Sequence, residues 1–225
     1  VVRGEVEWER RISLMRHHTA THILLGAAKE VLGDHVWQWG AQKGEEESRL
    51  DITHYKSLSS EELRRIEEVA NRIVMRNLPV RTFWLPRNEA EGRYGFTIYQ
   101  GGVVPGTSLR IVEIEGFNTQ ACGGTHVQRT GEVGPIVVWR AKRIQDGVVR
   151  LEFSAGLPAV MRLIDRYEEL KRIAEKLGRP VEEARASVER IIEEVKELKK
   201  ALEHERVVRI AKEAEMALSS AISVG

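Results

Sequence analysis

Two short motifs, about a hundred residues apart, constrain this chain more than any other feature. The first contains His18 and His22, four residues apart in a stretch whose apolar residues repeat with helical spacing. Side chains four apart on a helix lie on one face, one turn from each other. The second contains the only cysteine, Cys122, followed four residues later by His126. Three imidazoles and one thiolate form a donor set that suits Zn²⁺, so we predict one zinc site built from both motifs.

Each motif also has a simpler interpretation. A histidine pair at this spacing is more often a surface or partly buried pair than a metal site, and a lone cysteine is usually a buried apolar side chain. Their joint occurrence, with Gly123 and Gly124 allowing the backbone to bend between ligands, favours the metal. The spacing leaves its role open. Four protein ligands would close a structural site, whereas three ligands and a water would leave a position for chemistry.

Composition excludes several classes of protein. The chain has 225 residues, 42% of them hydrophobic and 31% charged, which fits a soluble protein of one large or two modest domains. No apolar run approaches the roughly 20 residues of a membrane span, and the start does not resemble a signal peptide. A single cysteine excludes an internal disulfide and fits a reducing compartment, so we expect a cytoplasmic location. The net charge of +1 does not identify a partner.

Both ends suggest a piece of a longer polypeptide. Residues 1–8 alternate like a β-strand without a visible partner, and residues 221–225 are largely apolar and uncapped. We therefore expect three segments. Residues 1–8 would end a preceding β domain, 9–156 would form a zinc-containing domain, and 157–225 would be a helical segment leading to a further C-terminal domain.

Residues 9–156 predict an α+β fold, with helices packed on an antiparallel sheet. The first helix is expected from Glu9 to Leu32, and a second begins at a capping box formed by Ser59 and Glu62. The remaining elements are strands at 35–40, 48–55, 80–85, 109–114, 136–141 and 148–153, a short helix or turn at 88–93, and a tight turn at 146–147. The glycine-rich stretch 94–106 lacks the spacing of a phosphate-binding loop, so we interpret it as a loop approaching an active site.

From about Pro158 the sequence changes to charged, glycine-poor helix. A break at 178–180 separates two helices, because glycine ends a helix well and proline begins one. The second helix carries a heptad seam, formed by Val181, Ala184, Val188, Ile191, Val195, Leu198 and Leu202. We expect an antiparallel helical hairpin. An intermolecular coiled coil is the alternative.

These motifs resemble the editing domain of archaeal-type alanyl-tRNA synthetases, with the helical segment that follows it. The similarity rests on residues 16–22 and 122–126, on the glycine-rich stretch 94–102, and on 145–153. It covers the chain up to Gly156 and, by composition only, the helices beyond. Free-standing alanyl-tRNA editing proteins share the paired motifs, and threonyl-tRNA synthetases share them more distantly.

The resemblance implies hydrolysis of tRNA-Ala mischarged with serine or glycine, inside an ATP-dependent alanine–tRNA ligase. A synthetic pocket sized for alanine cannot exclude glycine and rejects an added hydroxyl poorly, so a second hydrolytic site must correct the error. The family pattern makes His18, His22, Cys122 and His126 the zinc ligands. It assigns Thr21 and Gln38 to substrate specificity or positioning, although Thr21 could instead bond its own helix and Gln38 could be a solvated strand residue.

Other roles are less constrained by the sequence. Backbone N–H groups of Gly123 and Gly124 could stabilise an oxyanion, and a general base is unassigned. The cations Arg140, Lys142 and Arg143, with Arg150 across a turn, fit either contact with the tRNA acceptor end or a solvated strand edge. The remaining histidines are interpreted as structural or solvent-facing: His17, His35, His54 and His204.

Three functions follow in order of preference. The first is the editing domain itself, with a homodimer formed through the C-terminal region of the longer protein. The second is a free-standing editing hydrolase. The third is a non-catalytic module that binds tRNA or links subunits, with a purely structural zinc.

Overall fold

The computed structural model describes residues 2–102 and 104–222, with side chains up to Ser220. It divides into two units, Val1–Leu163 and Ile164–Gly225. None of the helices within the described ranges has the length and apolar character that crossing a membrane requires. In chain order the elements are α1 (Trp8–Leu32), β1 (Gln38–Gln42), β2 (Ser48–Thr53), α2 (Ser60–Met75), β3 (Val80–Pro86), α3 (Arg87–Tyr94), β4 (Ser108–Ile114), β5 (Asn118–Ala121), β6 (Ile136–Gln145), β7 (Val148–Ala155), α4 (Leu157–Lys176) and α5 (Ala184–Ile222).

The first unit contains two antiparallel sheets. Four strands pair in the order β1-β2-β7-β6, and three pair in the order β3-β4-β5. The tight turn predicted at 146–147 is confirmed, because Gln145 pairs with Val148 at the end of the β6–β7 hairpin. The α+β class is confirmed as well, but with two sheets where the sequence suggested one.

Helix α1 lies between the two sheets. It contacts β2 and β7 of the larger sheet, β5 of the smaller one, and helix α2. Its middle section, residues 19–28, is buried on every side, so its apolar residues do not form a single stripe. This placement brings the predicted histidine pair close to β5.

Helix α2 begins as the sequence predicts. The Ser59 hydroxyl accepts the backbone N–H of Glu62 at 3.1 Å, and the Glu62 carboxylate accepts the backbone N–H of Ser59 at 2.8 Å. This reciprocal capping box satisfies two N–H groups that the helix itself cannot pair. The Ser59 backbone N–H, the Lys56 ammonium and the Ser59 hydroxyl all donate to the Glu62 carboxylate and lower its pKa to about 2.

The strand predicted over residues 1–8 is wrong within the described residues. Residues 2–7 lie in neither helix nor strand, they are exposed, and Trp8 already belongs to α1. Val1 lies outside the described residues. An alternating sequence becomes a strand only when a neighbouring strand pairs with it, and none of the described strands does so. Whether the segment belongs to a preceding β domain stays a prediction.

Strand β5 was missed by the sequence prediction. Its four residues, Asn118 to Ala121, include three polar side chains, so they lack the apolar alternation of a typical strand. The glycine-rich stretch continues from α3 through a 3₁₀ turn at Phe96–Ile98 into a loop. Its Val103 lies outside the described residues.

The second unit contains most of the last two helices. The predicted break is confirmed, with Gly178 in the left-handed region at φ 62°. The predicted packing of the hairpin is wrong along the heptad seam. Seam residues from Val188 to Leu202 are 40–69% exposed, and Leu170 and Ile173 of α4 are 40% and 43% exposed. Among the side chains of this unit up to Ser220, the buried ones are Ala174, Ala184 and Ser187, which lie near the break, so the helices do not bury the seam farther along.

Candidate metal centre

The four predicted ligands come together in the structure. One ligand atom from each of His18, His22, Cys122 and His126 lies within 4.8 Å of all the others. The Cys122 Sγ is 3.3 Å from the His18 Nε2, and the His18 and His126 ring centroids are 4.1 Å apart. Such a cluster of one sulfur and three ring nitrogens is compact enough to hold one metal ion.

Two elements position these ligands. Helix α1 presents His18 and His22 one turn apart, and β5 delivers the chain to Cys122 directly at its end. The Asn118 side-chain amide donates to the His22 backbone oxygen at 2.8 Å, so β5 is fixed to the helix beside the second ligand.

Arg110 holds the loop that carries Cys122. Its backbone oxygen accepts the Cys122 N–H at 3.0 Å. Its guanidinium donates to the backbone oxygens of Cys122 and Gly124, at 2.6 and 2.7 Å. Arg110, a residue of β4, therefore takes part in three hydrogen bonds that fix the bend between Cys122 and His126.

The two glycines of this loop have different roles. A Cβ on Gly124 would overlap the Cε1 atom of His18 and lie 2.5 Å from its Nδ1, so the ring packs directly on the glycine backbone. A Cβ on Gly123 would meet nothing within 4 Å. Only Gly124 is required by the packing of a ligand.

Hydrogen bonds to the outer nitrogens orient two of the rings. His18 Nδ1 donates to the Thr125 backbone oxygen at 3.2 Å, and His126 Nδ1 lies 3.1 Å from the Thr19 hydroxyl. The His126 Nε2 is buried without a hydrogen-bond partner among the described residues. A buried acceptor without a partner is costly, and a metal ion at the cluster would satisfy it.

The electrostatics keep these imidazoles neutral at pH 7. Burial, and then the nearby Lys43 charge, lowers the pKa of His18 to about 4. Burial and the charge of His18 lower the pKa of His126 to about 2, and burial lowers the pKa of His22 well below 6.5. Neutral imidazole is the form that binds a metal, so the residues present fit such an ion.

The two predicted specificity residues are both buried. The Thr21 hydroxyl donates to the His17 backbone oxygen at 2.8 Å. This hydrogen bond within its own helix is the alternative role that the sequence allows for Thr21. Gln38 is 6% exposed, which excludes the solvated alternative, and its Oε1 has no partner among the described residues. Gln38 lines an open pocket of about 830 Å³ whose other walls are largely aromatic: His35, Trp37, Trp39, Phe96 and Tyr99.

The predicted tRNA-binding cations Arg140, Lys142 and Arg143 lie on β6, at the edge of the larger sheet, whereas Arg150 lies on β7 and pairs with Asp51 at 2.7 Å. Arg140 and Lys142 both pair with Glu152, at 3.7 and 3.1 Å, and Arg143 pairs with Asp146. All three cations are exposed. Contact with tRNA stays a prediction for them, because these pairs are also what a solvated strand edge would show.

The remaining histidines lie away from the ligand cluster. His17 is fully buried, and its ring bonds the Ser13 backbone oxygen and the Ala155 N–H. His35 and His54 bond each other through their rings at 2.8 Å, a pairing that their distance in sequence conceals. His204 is exposed on α5.

Sequence reasoning missed several residues at the centre. Gln100 lies 3.1 Å from His22, and Arg110 and Lys43 supply the positive charge around the rings. Gln120 is fully buried, and neither atom of its amide has a partner among the described residues. Had β5 been recognised, the alternation of Asn118, Gln120 and Cys122 would have placed Gln120 on the face toward α1.

Known proteins contain segments that are similar to this chain. Residues 109–152, which include Cys122 and His126, match the family model described as the threonyl and alanyl tRNA synthetase second additional domain. The chain is 63% identical over 227 residues to an alanine–tRNA ligase from Korarchaeum cryptofilum, covering 100% of the chain and 25% of that relative. Alanine–tRNA ligases from Methanopyrus kandleri and Pyrococcus furiosus are 54% and 52% identical, each covering 90% of the chain and 22% of the relative.

The chain thus spans about a quarter of the length of the curated relatives it matches. The agreement extends over both the ligand motifs and the helices that follow them. Over its whole length the chain is similar to a segment of alanine–tRNA ligases, and this segment contains the second additional domain described for threonyl and alanyl tRNA synthetases.

Proposed function

We propose that this chain is the editing segment of an alanyl-tRNA synthetase and hydrolyses the aminoacyl ester of tRNA-Ala mischarged with serine or glycine. The observation that carries the proposal is the four-ligand cluster, which the loop containing Gln100 connects to a pocket lined by the buried Gln38. Alanine ligation with ATP would then belong to the longer enzyme, and tRNA-Ala would be the partner through its acceptor end. No membrane is involved in this proposal.

The ion that fits best is Zn²⁺, one per chain, held by His18, His22, Cys122 and His126. Neutral imidazoles with one thiolate are its usual ligands. When bound, it would polarise the ester carbonyl and lower the pKa of a nearby water. The protein's own part is to hold the ligands rigidly, through Arg110 at the cysteine loop and Asn118 at the helix.

Selection of the substrate would fall to Gln38 and Thr21. The unpartnered Oε1 of Gln38 can accept the hydroxyl hydrogen of serine, which alanine lacks. The Thr21 hydroxyl has already donated its hydrogen, so it can act only as an acceptor. A buried acceptor left unpaired would favour serine over alanine. The same acceptors do not select glycine, which also lacks the hydroxyl, so they account for the serine preference alone. The backbone N–H groups of Gly123 and Gly124 remain candidates for the developing oxyanion.

The experiment is deacylation of seryl-tRNA-Ala, glycyl-tRNA-Ala and alanyl-tRNA-Ala by the purified chain, with zinc measured on the same sample. We expect about one zinc per chain and release of serine and glycine, while alanine is retained. Gln38→Ala should keep the zinc and lose the preference for serine over alanine. Zinc without hydrolysis of any substrate would contradict the proposal and favour a non-catalytic module that binds tRNA.

A further inference from the structure

Gln100 lies in the glycine-rich loop and touches the ligand cluster. Its side-chain nitrogen is 3.1 Å from the Nε2 of His22. An amide nitrogen can only donate, so the His22 Nε2 accepts this bond, and its lone pair points toward Gln100. The loop therefore delivers a neutral N–H donor directly to one of the four ligands.

This hydrogen bond and a metal ion compete for the same lone pair. A metal on the His22 Nε2 would occupy the position that now accepts the Gln100 N–H. The amide would then have a free donor within hydrogen-bond distance of a ligand atom. A half-buried donor beside a metal centre can pair with an oxygen of the substrate bound there.

The neighbours of Gln100 connect the centre to the aromatic pocket. Tyr99, Gly101 and Gly102 line this pocket together with Gln38. Gly101 has φ 73°, and a Cβ there would lie 2.7 Å from the Trp39 backbone oxygen and 3.2 Å from that of Gln38. The loop backbone is thus pressed against β1, which fixes Gln100 between the pocket and the cluster.

We infer that Gln100 is a catalytic residue of the proposed hydrolysis, donating a hydrogen bond to the carbonyl oxygen of the aminoacyl ester. This inference rests on the proposed function. A water oxygen adds to the carbonyl carbon, and the bond from that carbon to the ribose oxygen then breaks. One water proton passes to the ribose oxygen, and the other is released as the carboxylate forms. Gln100 stabilises the negative charge that develops on the carbonyl oxygen between these events.

The test compares Gln100→Ala and Gln100→Glu with the wild-type chain. Glutamate keeps the size of the side chain but, once ionised, cannot donate. Removing one oxyanion donor typically lowers kcat by about 10²–10³-fold. We expect a decrease of that size in both variants with seryl-tRNA-Ala, with little change in KM. Gln145→Ala, an exposed glutamine at the end of β6, is the matched control and should retain the wild-type kcat.

Zinc affinity, measured by competition with a chelator, and thermal unfolding separate this role from a structural one. Thermal unfolding should stay at the wild-type value in the Gln100 variants, and zinc affinity should not fall, because the hydrogen bond that competes with the metal is gone. A parallel loss of zinc affinity would overturn the inference, because Gln100 would then support His22. Unchanged kcat, or a glutamate variant with wild-type activity, would also overturn it. If instead the wild-type chain binds zinc but hydrolyses nothing, it is the proposed function that fails.

Discussion

Whether the four ligands can assemble depends on a single residue, Gly124. We predict that Gly124→Ala displaces the His18 ring, because the new methyl group would overlap it. Zinc affinity should fall at least about tenfold, the range seen when residues that orient ligands are altered. The measurement is chelator competition on the purified variant.

Gly123 provides the matched control for this experiment. An alanine there meets nothing within 4 Å, so Gly123→Ala should bind zinc as the wild-type chain does. Equal loss in both variants would contradict the packing argument, since it would mean that backbone freedom of the loop matters more than contact with His18.

Among the helices and strands, the start of α2 is the clearest case in which a local sequence pattern, the capping box, determines where an element begins. We predict that Ser59→Ala lowers the free energy of unfolding by about 1 kcal/mol, because it removes the acceptor for the Glu62 N–H. Urea unfolding of the whole chain measures this. Ser57→Ala, at an exposed position before the cap, should change it by less than about 0.5 kcal/mol. A neutral Ser59 variant would mean that tertiary packing alone determines where α2 begins.

Local patterns of this kind explain which elements the sequence predicts. The capping box, the helical spacing of α1 and the turn at Asp146-Gly147 each depend on residues close together in the chain, and all three are found. Strand β5 depends on its pairing with β4, which its own residues do not reveal. The exposed seam of α5 is a similar case, because heptad spacing indicates a buried face without indicating what covers it.

The residues of the candidate site also fall into two groups, those that the sequence predicts and those that only the fold reveals. The four ligands could be predicted because histidine and cysteine are residue types that bind zinc, and because each pair lies four residues apart, a spacing that suits metal ligands. Gln100, Arg110 and Lys43 could not, because glutamine, arginine and lysine are common on surfaces, and only the fold brings these three to the cluster.

For the whole molecule, the histidines predict how stability depends on pH. Burial lowers the pKa in the folded chain for five of them: His17, His18, His22, His54 and His126. Below about pH 6.5 the unfolded chain binds protons that the folded chain does not, so the free energy of unfolding should fall with pH. The decline should continue below pH 4, because in the folded chain the pKa of His18 is about 4 and that of His126 is about 2.

Urea unfolding between pH 7 and pH 4 with a chelator present measures this dependence without metal. With zinc present, stability should be higher at pH 7, and it should be lost on acidification together with the metal, because protons compete for the ligands. A free energy of unfolding that does not change over this range would contradict the burial of the rings.

The division into two units predicts that the chain folds without the residues after Lys176. Both apolar cores and all four ligands lie within residues 1–163, whereas the α5 side chains from Val188 to Ser220 are exposed. We therefore predict that a chain ending at Lys176 still unfolds cooperatively, with a melting temperature within a few degrees of the full chain. It should also retain about one zinc, measured by metal analysis of the purified protein. A shortened chain that aggregates or loses its zinc would show that α5 stabilises the first unit. If sedimentation shows that only the full chain dimerises, the interface lies in the residues that the shortened chain lacks, and the exposed seam from Val188 to Leu202 is the candidate whose heptad spacing fits a coiled coil.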